Sequence, residues 1–550
     1  MQISRKSGLA VALFAGLICL LLYLRALSCD FINFDDYDYV VENPAIRVLD
    51  WTFIRSAFST SYMGWWMPLT WISFAVDYHF WGLNPLGFHL TNILLHAVNT
   101  VLVVLIADGL LRPGLRTGDQ ELENTGNGRY AYPATLLLAG LLWGIHPLRV
   151  ESVAWVTERK DVLNGIFSLG SILCYLRYAH KKESGKQSNG ASWDYVLSLV
   201  LLLLSLMAKP VSVVIPAMLL VADWYPLGRL RRGRTLAVVI EKIPFLVLCA
   251  TLAITTMYFA SDAAILVSFQ DFPFHKRAIV AGHAIFEYCR LSIYPIEIMH
   301  LYLLPRILPL SYYVATAVSV TFTCFCFYNY KKRPWLPATW LAFLLPLLPV
   351  LGFFQGGSQA YAARFTYLPA VLPSIAVAGV IIASYKKITA MPDRLPGILF
   401  GCLIAAMLLF YGIMTEKLIG AWKNSETLWS RSIEIQPFGR AFYFRADHYL
   451  RTGKYLAAAE DLAVSIRMAK EAGYPGIFNL HALRGDALSK SGLHEDAVKE
   501  FTSAIQSNPL PNYFYHRGVT WKNLGELRLA EDDFKRAGTE TGPIKWQEFQ

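Results

Sequence analysis

Apolar blocks of about 15–24 residues recur from residue 8 to residue 414 and then stop. A helix needs about 20 apolar residues to cross a hydrocarbon layer. Inside that layer the backbone must satisfy its own hydrogen bonds. The recurrence therefore predicts an all-α chain, with a bundle of membrane helices followed by a soluble tail. Charge supports this, because only 16% of the 550 residues are Asp, Glu, Lys or Arg, against roughly 25% in a soluble chain. A soluble enzyme, a disordered regulator and a disulfide-built secreted domain are excluded. Seven of the eight cysteines lie inside apolar blocks, Cys29 ends the first, and no pair has metal-ligand spacing.

Eleven candidate spans follow: 8–28, 90–111, 133–146, 161–179, 194–208, 211–224, 236–259, 311–328, 335–353, 366–384 and 396–414. The first could be a signal peptide, but it is long, carries Arg25 and lacks a small-residue cleavage site, so it is read as a retained helix. The net charge of +10 could suggest nucleic acid, yet the basic residues cluster in short alternate links. Those links hold Arg5/Lys6, Arg112/Arg116/Arg129, Lys181/Lys182/Lys186, Arg229/Arg231/Arg232/Arg234, Lys331/Lys332/Arg333 and Lys386/Lys387/Arg394. Basic short links face the cytoplasm, which places the tail outside and leaves no nucleic-acid partner. The block Ala278–Ile298 breaks the alternation if counted, so it is expected to lie in or re-enter the outer leaflet.

The tail reads as three helix-pair repeats. Gly453, Gly492 and Gly525 recur at spacings of 39 and 33 residues, near the 34 of tetratricopeptide repeats. Gly485, Ala497, Phe501 and Ala504 in the second repeat, and Gly518, Ala530 and Phe534 in the third, occupy its small and large positions. The expected domains are 1–415 in the membrane, a connector over 416–439 and repeats over 440–550. Asn479, His481, Arg484, Tyr515, His516 and Arg517 fall on or near the first helices, where a concave groove would hold an extended chain.

The first outer loop, 30–89, carries Asp35, Asp36, Asp38 and Glu42 directly after the first span, then Trp51, Trp65, Trp66, Trp71 and Trp81. Either this is a solvated acidic loop with an aromatic belt at the headgroups, or its carboxylates form a base or ion site at the membrane rim. His89, Asn92 and His96 share one stripe of the second span, as interhelical hydrogen-bond partners or as walls of a cavity. His146 and Glu151 flank Arg149, which could be the ion partner of Glu151. Lys209, before Pro210, either snorkels to the headgroups or serves a site.

Several strings together resemble one family. They are Asn33-Phe34-Asp35-Asp36, Asn43-Pro44, Pro68-Leu69-Thr70-Trp71, Gly82-Leu83-Asn84-Pro85 and His89-Leu90-Thr91-Asn92. His146-Pro147-Leu148-Arg149-Val150-Glu151, Glu158-Arg159-Lys160-Asp161, Lys209-Pro210, Asp223-Trp224-Tyr225-Pro226-Leu227-Gly228-Arg229 and Arg364-Phe365-Thr366-Tyr367-Leu368-Pro369 extend the set. In this order, with the repeats, they resemble bacterial relatives of the transmembrane and tetratricopeptide-repeat containing O-mannosyltransferases, in the GT-C glycosyltransferase superfamily. Ala363 departs from the pattern, where an acidic residue is expected.

The resemblance implies an inverting transfer of sugar from a polyprenyl-phosphate donor to a protein or glycan acceptor on the outer side. The membrane would be the bacterial inner membrane with the tail in the periplasm, or, in a eukaryote, the endoplasmic reticulum membrane with the tail in the lumen. The chemistry implies a carboxylate base near the acceptor hydroxyl, matched by Asp35 with Asp36 as second choice, and Glu151 as a further acidic group. It implies cations for the leaving phosphate, for which Lys209, Arg159, Lys160 and Arg364 stand. His89, Asn92 and His146 would shape the cavity. The resemblance implies no metal or other cofactor, although the carboxylates leave a divalent ion as an alternative. Two rival classes are a membrane-anchored repeat scaffold and a transporter of lipid-linked sugars. Ionisable residues collected at span ends suit surface chemistry better than transport.

Overall fold

The computed structural model describes residues 5–111, 128–184, 189–230, 233–261, 272–305, 307–353 and 359–544. Of the basic link residues, Arg112, Arg116, Lys186, Arg231 and Arg232 lie outside the described residues. The chain forms two compact units, one of Met1–Cys29 with Asp38–Gly420, the other of Asp30–Tyr37 with Ala421–Gln550. Eight residues of the predicted first outer loop thus group with the tail.

In the first unit, each of the eleven predicted apolar blocks is helical. Among the described residues, eight helices are long and apolar enough to cross a membrane: Ser7–Ser28, Pro85–Leu111, Val156–Glu183, Gly190–Ala208, Thr235–Phe259, Leu310–Tyr328, Val371–Thr389 and Leu395–Ala421. The third block is broken, with Tyr130–Gly144 and Pro147–Ala154 meeting at 52°. Pro147 opens the second piece, and His146 caps it by accepting from the Leu148 N–H at 3.2 Å. Pro210–Trp224 and Trp335–Val350 are apolar but shorter.

Small residues let these helices approach, as expected where lipid supplies no hydrophobic drive between them. A Cβ at Gly16 would meet the Ala97 carbonyl at 3.0 Å, and one at Gly144 would clash with Cys19 and Thr100. The first helix is therefore packed into the unit.

The ambiguous block forms the helix Phe274–Ile293, which is absent from the membrane-length set. It packs on Leu310–Tyr328 through Thr316 and Ser319, whose hydroxyls donate to the carbonyls of Ile279 and Gly282 at 2.8 Å. An all-α reading misses one small element. Tyr302–Leu303 pairs antiparallel with Gln359–Tyr361, and the Tyr302 and Tyr361 rings stack at 4.2 Å.

The second unit continues from the helix Ser425–Ile435 into three helix pairs. These are Gly439–Arg451 with Tyr455–Glu471, Ile477–Lys490 with His494–Ser507, and Pro511–Asn523 with Leu527–Ala537. Gly453, Gly492 and Gly525 turn each pair with φ of 78°, 88° and 84°, a backbone region that penalises any Cβ. Gly485 faces Phe501 and Gly518 faces Phe534 closely enough that an added Cβ would sit 3.0 and 2.8 Å from the ring.

Candidate active site

Four short pieces of chain build a buried charged cluster in the first unit. Val150–Ala154 supplies Glu151, Val156–Glu158 and the start of Arg159–Glu183 supply Glu158, Lys160 and Asp161, and Ala363–Thr366 supplies Arg364. Lys209 comes from the break between two helices. A residue before proline is pushed out of the helical region, and Lys209 accordingly takes φ −156°, ψ 127°. That ends the helix Asn189–Ala208.

Lys209 Nζ lies 2.5 Å from Asp161 Oδ1 and 3.3 Å from Glu158 Oε2. Lys160 Nζ is 3.2 Å from Glu158 Oε1. Arg364 donates through Nη1 to Glu151 Oε1 at 2.5 Å and through its backbone N–H to Oε2 at 2.8 Å. Its Nε sits 3.3 Å from Glu158 Oε1, and its Nη2 donates to Gln359 Oε1 at 2.6 Å. Three carboxylates thus face three cations, with Glu158 joining all three. The snorkelling reading of Lys209 fails, because two carboxylates hold its ammonium.

The surroundings fix these groups. Ser152 Oγ donates to Asp161 Oδ2 at 3.0 Å. Asn164 Nδ2 donates to the Lys209 carbonyl at 2.9 Å and to Ser212 Oγ at 2.6 Å. A cleft beside the cluster is lined by Asp161, Asn164, Lys209 and Arg364 together with Val211, Pro346, Phe365 and Leu368. Lys209 and Arg364 therefore meet an apolar wall on one side of the cleft.

Other sequence candidates sit elsewhere. Arg159 is fully buried, donates to Asp77 Oδ2 at 2.6 Å and to the Phe88 carbonyl at 2.8 Å, and also bonds Asn92 Oδ1. It lies away from the other three cations because adjacent helical side chains point to different faces. Asn92 turns its amide N–H groups to the carbonyls of Val153 and Trp155 at 3.3 and 3.1 Å, so it holds the backbone that carries the cluster. His96 bridges Tyr367 Oη and the Gly144 carbonyl, each at 2.9 Å. His89 is buried on the same helix. His146 reaches the Ser292 carbonyl at 3.1 Å. Arg149 is not the partner of Glu151; it donates to Thr366 Oγ1 at 2.6 Å between the Trp143 and Tyr367 rings. Ala363 is buried in the turn that presents Arg364.

Sequence reasoning quoted Glu158 and Asp161 within a string but gave them no role in the site, and it did not name Gln359. Glu158 and Asp161 had a signal, a three-residue spacing that puts both on one helical face. Gln359 had none, since the strand pairing places it.

The acidic pair lies in the second unit. Asp36 is fully buried, and its Oδ2 accepts from the Ile32 N–H at 3.0 Å, closing its own turn. Asp35 is half-buried on the same turn. Among the expected groove residues, Arg484 pairs with Glu500, and Arg517 grips Asp533 at 2.7 and 2.8 Å. Arg445 grips Asp461 in the same way at 2.7 Å. Each carboxylate stands sixteen residues on, so these arginines tie the two helices of their own repeat. Asn479 is buried, with its Oδ1 accepting from Tyr513 Oη at 3.1 Å.

The apolar helices and the buried charged cluster define a multi-pass membrane protein with a polar interior. The chain is related to the protein O-mannosyl-transferases over about 40% of its length. It is 28% identical over 227 residues to protein O-mannosyl-transferase TMTC4 of Homo sapiens, covering 40% of this chain and 29% of that protein. Against protein O-mannosyl-transferase tmtc2 of Xenopus laevis it is 28% identical over 242 residues, 42% of this chain and 26% of that one. Against Tmtc1 of Drosophila melanogaster it is 29% identical over 204 residues, 36% and 20% of the two chains. The chain thus spans less than a third of the length of these curated relatives. No family model and no solved structure matches it.

Proposed function

We propose that this protein is a membrane glycosyltransferase that moves a sugar from a polyprenyl-phosphate donor to a protein hydroxyl at the outer face, inverting the anomeric carbon. The observation that carries the reading is the pair Lys209 and Arg364 at an apolar cleft, each backed by buried carboxylates. The names of the relatives give the reaction class. The acceptor oxygen attacks the anomeric carbon, its proton passes to Asp35, and the bond from that carbon to the phosphate oxygen breaks with its electron pair leaving on the phosphate. Lys209, Arg364 and Lys160 offset the charge that develops there, which counts most where water is scarce. Glu151, Glu158 and Asp161 hold those cations. Asp35 is the proposed base, with Asp36, whose Oδ2 accepts from the Ile32 N–H, as second choice.

The helix pairs of the tail are proposed to hold the protein acceptor. Arg484 and Arg517, committed within their repeats, are not its contacts.

Purified protein incubated with labelled polyprenyl-phosphate mannose and serine- or threonine-containing peptides should yield label released from the peptide by β-elimination. No label on any hydroxyl acceptor, from any lipid-phosphate sugar, would overturn the reading.

A further inference from the structure

Asn33 makes a cluster of hydrogen bonds that ties the segment carrying Asp35 to the tail's first helices. This residue is 5% exposed, and its backbone N–H, Oδ1 and Nδ2 are all hydrogen-bonded. Its backbone N–H donates to Ser425 Oγ at 2.9 Å, and its Oδ1 accepts from Trp429 Nε1 at 2.9 Å. Its Nδ2 donates to the Phe444 carbonyl at 2.6 Å and to Asp447 Oδ2 at 2.9 Å. The amide has only one acceptable orientation, because an indole N–H can only donate while a carbonyl and a carboxylate can only accept. Trp429 is fully buried and stacks on Phe444 at 4.5 Å. Phe34 meets both rings edge-on at 5.8 and 5.3 Å, and Arg451 lies over the Tyr37 ring at 4.5 Å.

We infer that Asn33 is a positioning residue: clasped by Ser425–Ile435 and Gly439–Arg451, it fixes the turn on which Asp35 stands, so that the tail's first helices take part in setting the base. This rests on the reading of Asp35 as base. Only Phe34 separates Asn33 from Asp35, and Asp36 locks the turn that contains both through the Ile32 N–H. Displacing a reacting group by about 1 Å can cost roughly 100-fold in rate, so a clasp four hydrogen bonds deep bears directly on turnover. The tail has a role here beyond presenting an acceptor. A chain ending near residue 432 would lack Phe444 and Asp447, and it should lose transfer to short peptides as well as to folded proteins.

The test uses the full-length protein in lipid nanodiscs, with Asn33→Asp and Trp429→Phe. Asn33→Asp keeps the shape but turns an acceptor toward the Phe444 carbonyl and Asp447. Trp429→Phe keeps an aromatic ring and removes one N–H. Amide hydrogen exchange over 30–37 should accelerate at least about tenfold in both, while exchange over 477–537 stays at the wild-type rate. With polyprenyl-phosphate mannose and a serine peptide, kcat should fall by about 10- to 100-fold at unchanged donor KM. Unchanged exchange over 30–37 would overturn the clasp. Faster exchange with kcat intact, or an equal loss in donor affinity, would overturn its role in setting the base. If Asn33→Asp does not fold, Trp429→Phe alone decides by the same criteria. If wild-type protein transfers no sugar, the functional reading fails, while the exchange data still judge the clasp.

Discussion

Lys209 and Asp161, 48 residues apart, meet at 2.5 Å, and the contact exists because Pro210 forces Lys209 out of its helix. A helical Lys209 would continue the face of Asn189–Ala208. The extended one turns its ammonium toward the first turn of the neighbouring helix. Charge placement in the candidate site thus depends on a break in secondary structure.

Lys209→Met is expected to have two effects. It leaves Asp161 and Glu158 short of a cation, and removing one partner of a buried pair costs about 3–5 kcal/mol. It should also raise KM for the lipid-phosphate donor more than for the acceptor. Thermal unfolding and steady-state kinetics on one preparation read both, and an unchanged donor KM would leave Lys209 with a purely structural part.

Arg159 and Arg364 should separate in the same assays. Arg159→Met strands Asp77 in the interior and should lower stability by about 3–5 kcal/mol, with donor KM preserved in the fraction that folds. Arg364→Lys keeps a charge but loses the fork that reaches Glu151 and Gln359 together, and it should raise donor KM. The reverse pattern would assign the phosphate to Arg159.

The acidic pair should divide by role. Asp35→Asn is expected to lower kcat by about 10²–10⁴-fold, the usual yield of general base catalysis, with donor binding retained. Asp36→Asn keeps an oxygen for the Ile32 N–H and should cost far less, whereas Asp36→Leu, which has none, should loosen the turn. Equal losses for Asp35→Asn and Asp36→Asn would leave the base unassigned between them.

Gly492→Ala places a Cβ at φ 88° and should destabilise the second helix pair by about 1–2 kcal/mol. Faster hydrogen exchange confined to Ile477–Ser507 would show it. Gly379→Ala, in a helix with open space around it, should leave exchange there no faster.

Much of the fold was legible in the chain alone. All eleven apolar blocks became helices. Among the described residues, however, eight, or nine with the bent pair, are long and apolar enough to cross a membrane, so the expected count of eleven spans is too high by length. The three turn glycines of the tail were legible too, since positive φ leaves few alternatives to glycine. The grouping of the charges was less so. Lys160, Lys209, Arg364 and Glu151 could be named as chemistry-bearing residues, but Arg159 looked equivalent to Lys160 and is not.

What the sequence by itself determined was the membrane class, the helix pairs of the tail and a set of ionisable residues at helix ends. All of these follow from periodicity and composition over short windows. Tertiary structure alone decided which ions meet: Glu158 with three cations, Arg159 with Asp77, Arg484 and Arg517 within their own repeats. It also decided that Asn33 joins the tail's first helices, across nearly four hundred residues of chain. The physical reason is that a hydrogen bond or ion pair depends on separation in space. That separation is set by helix breaks, caps and packing, which no local window contains.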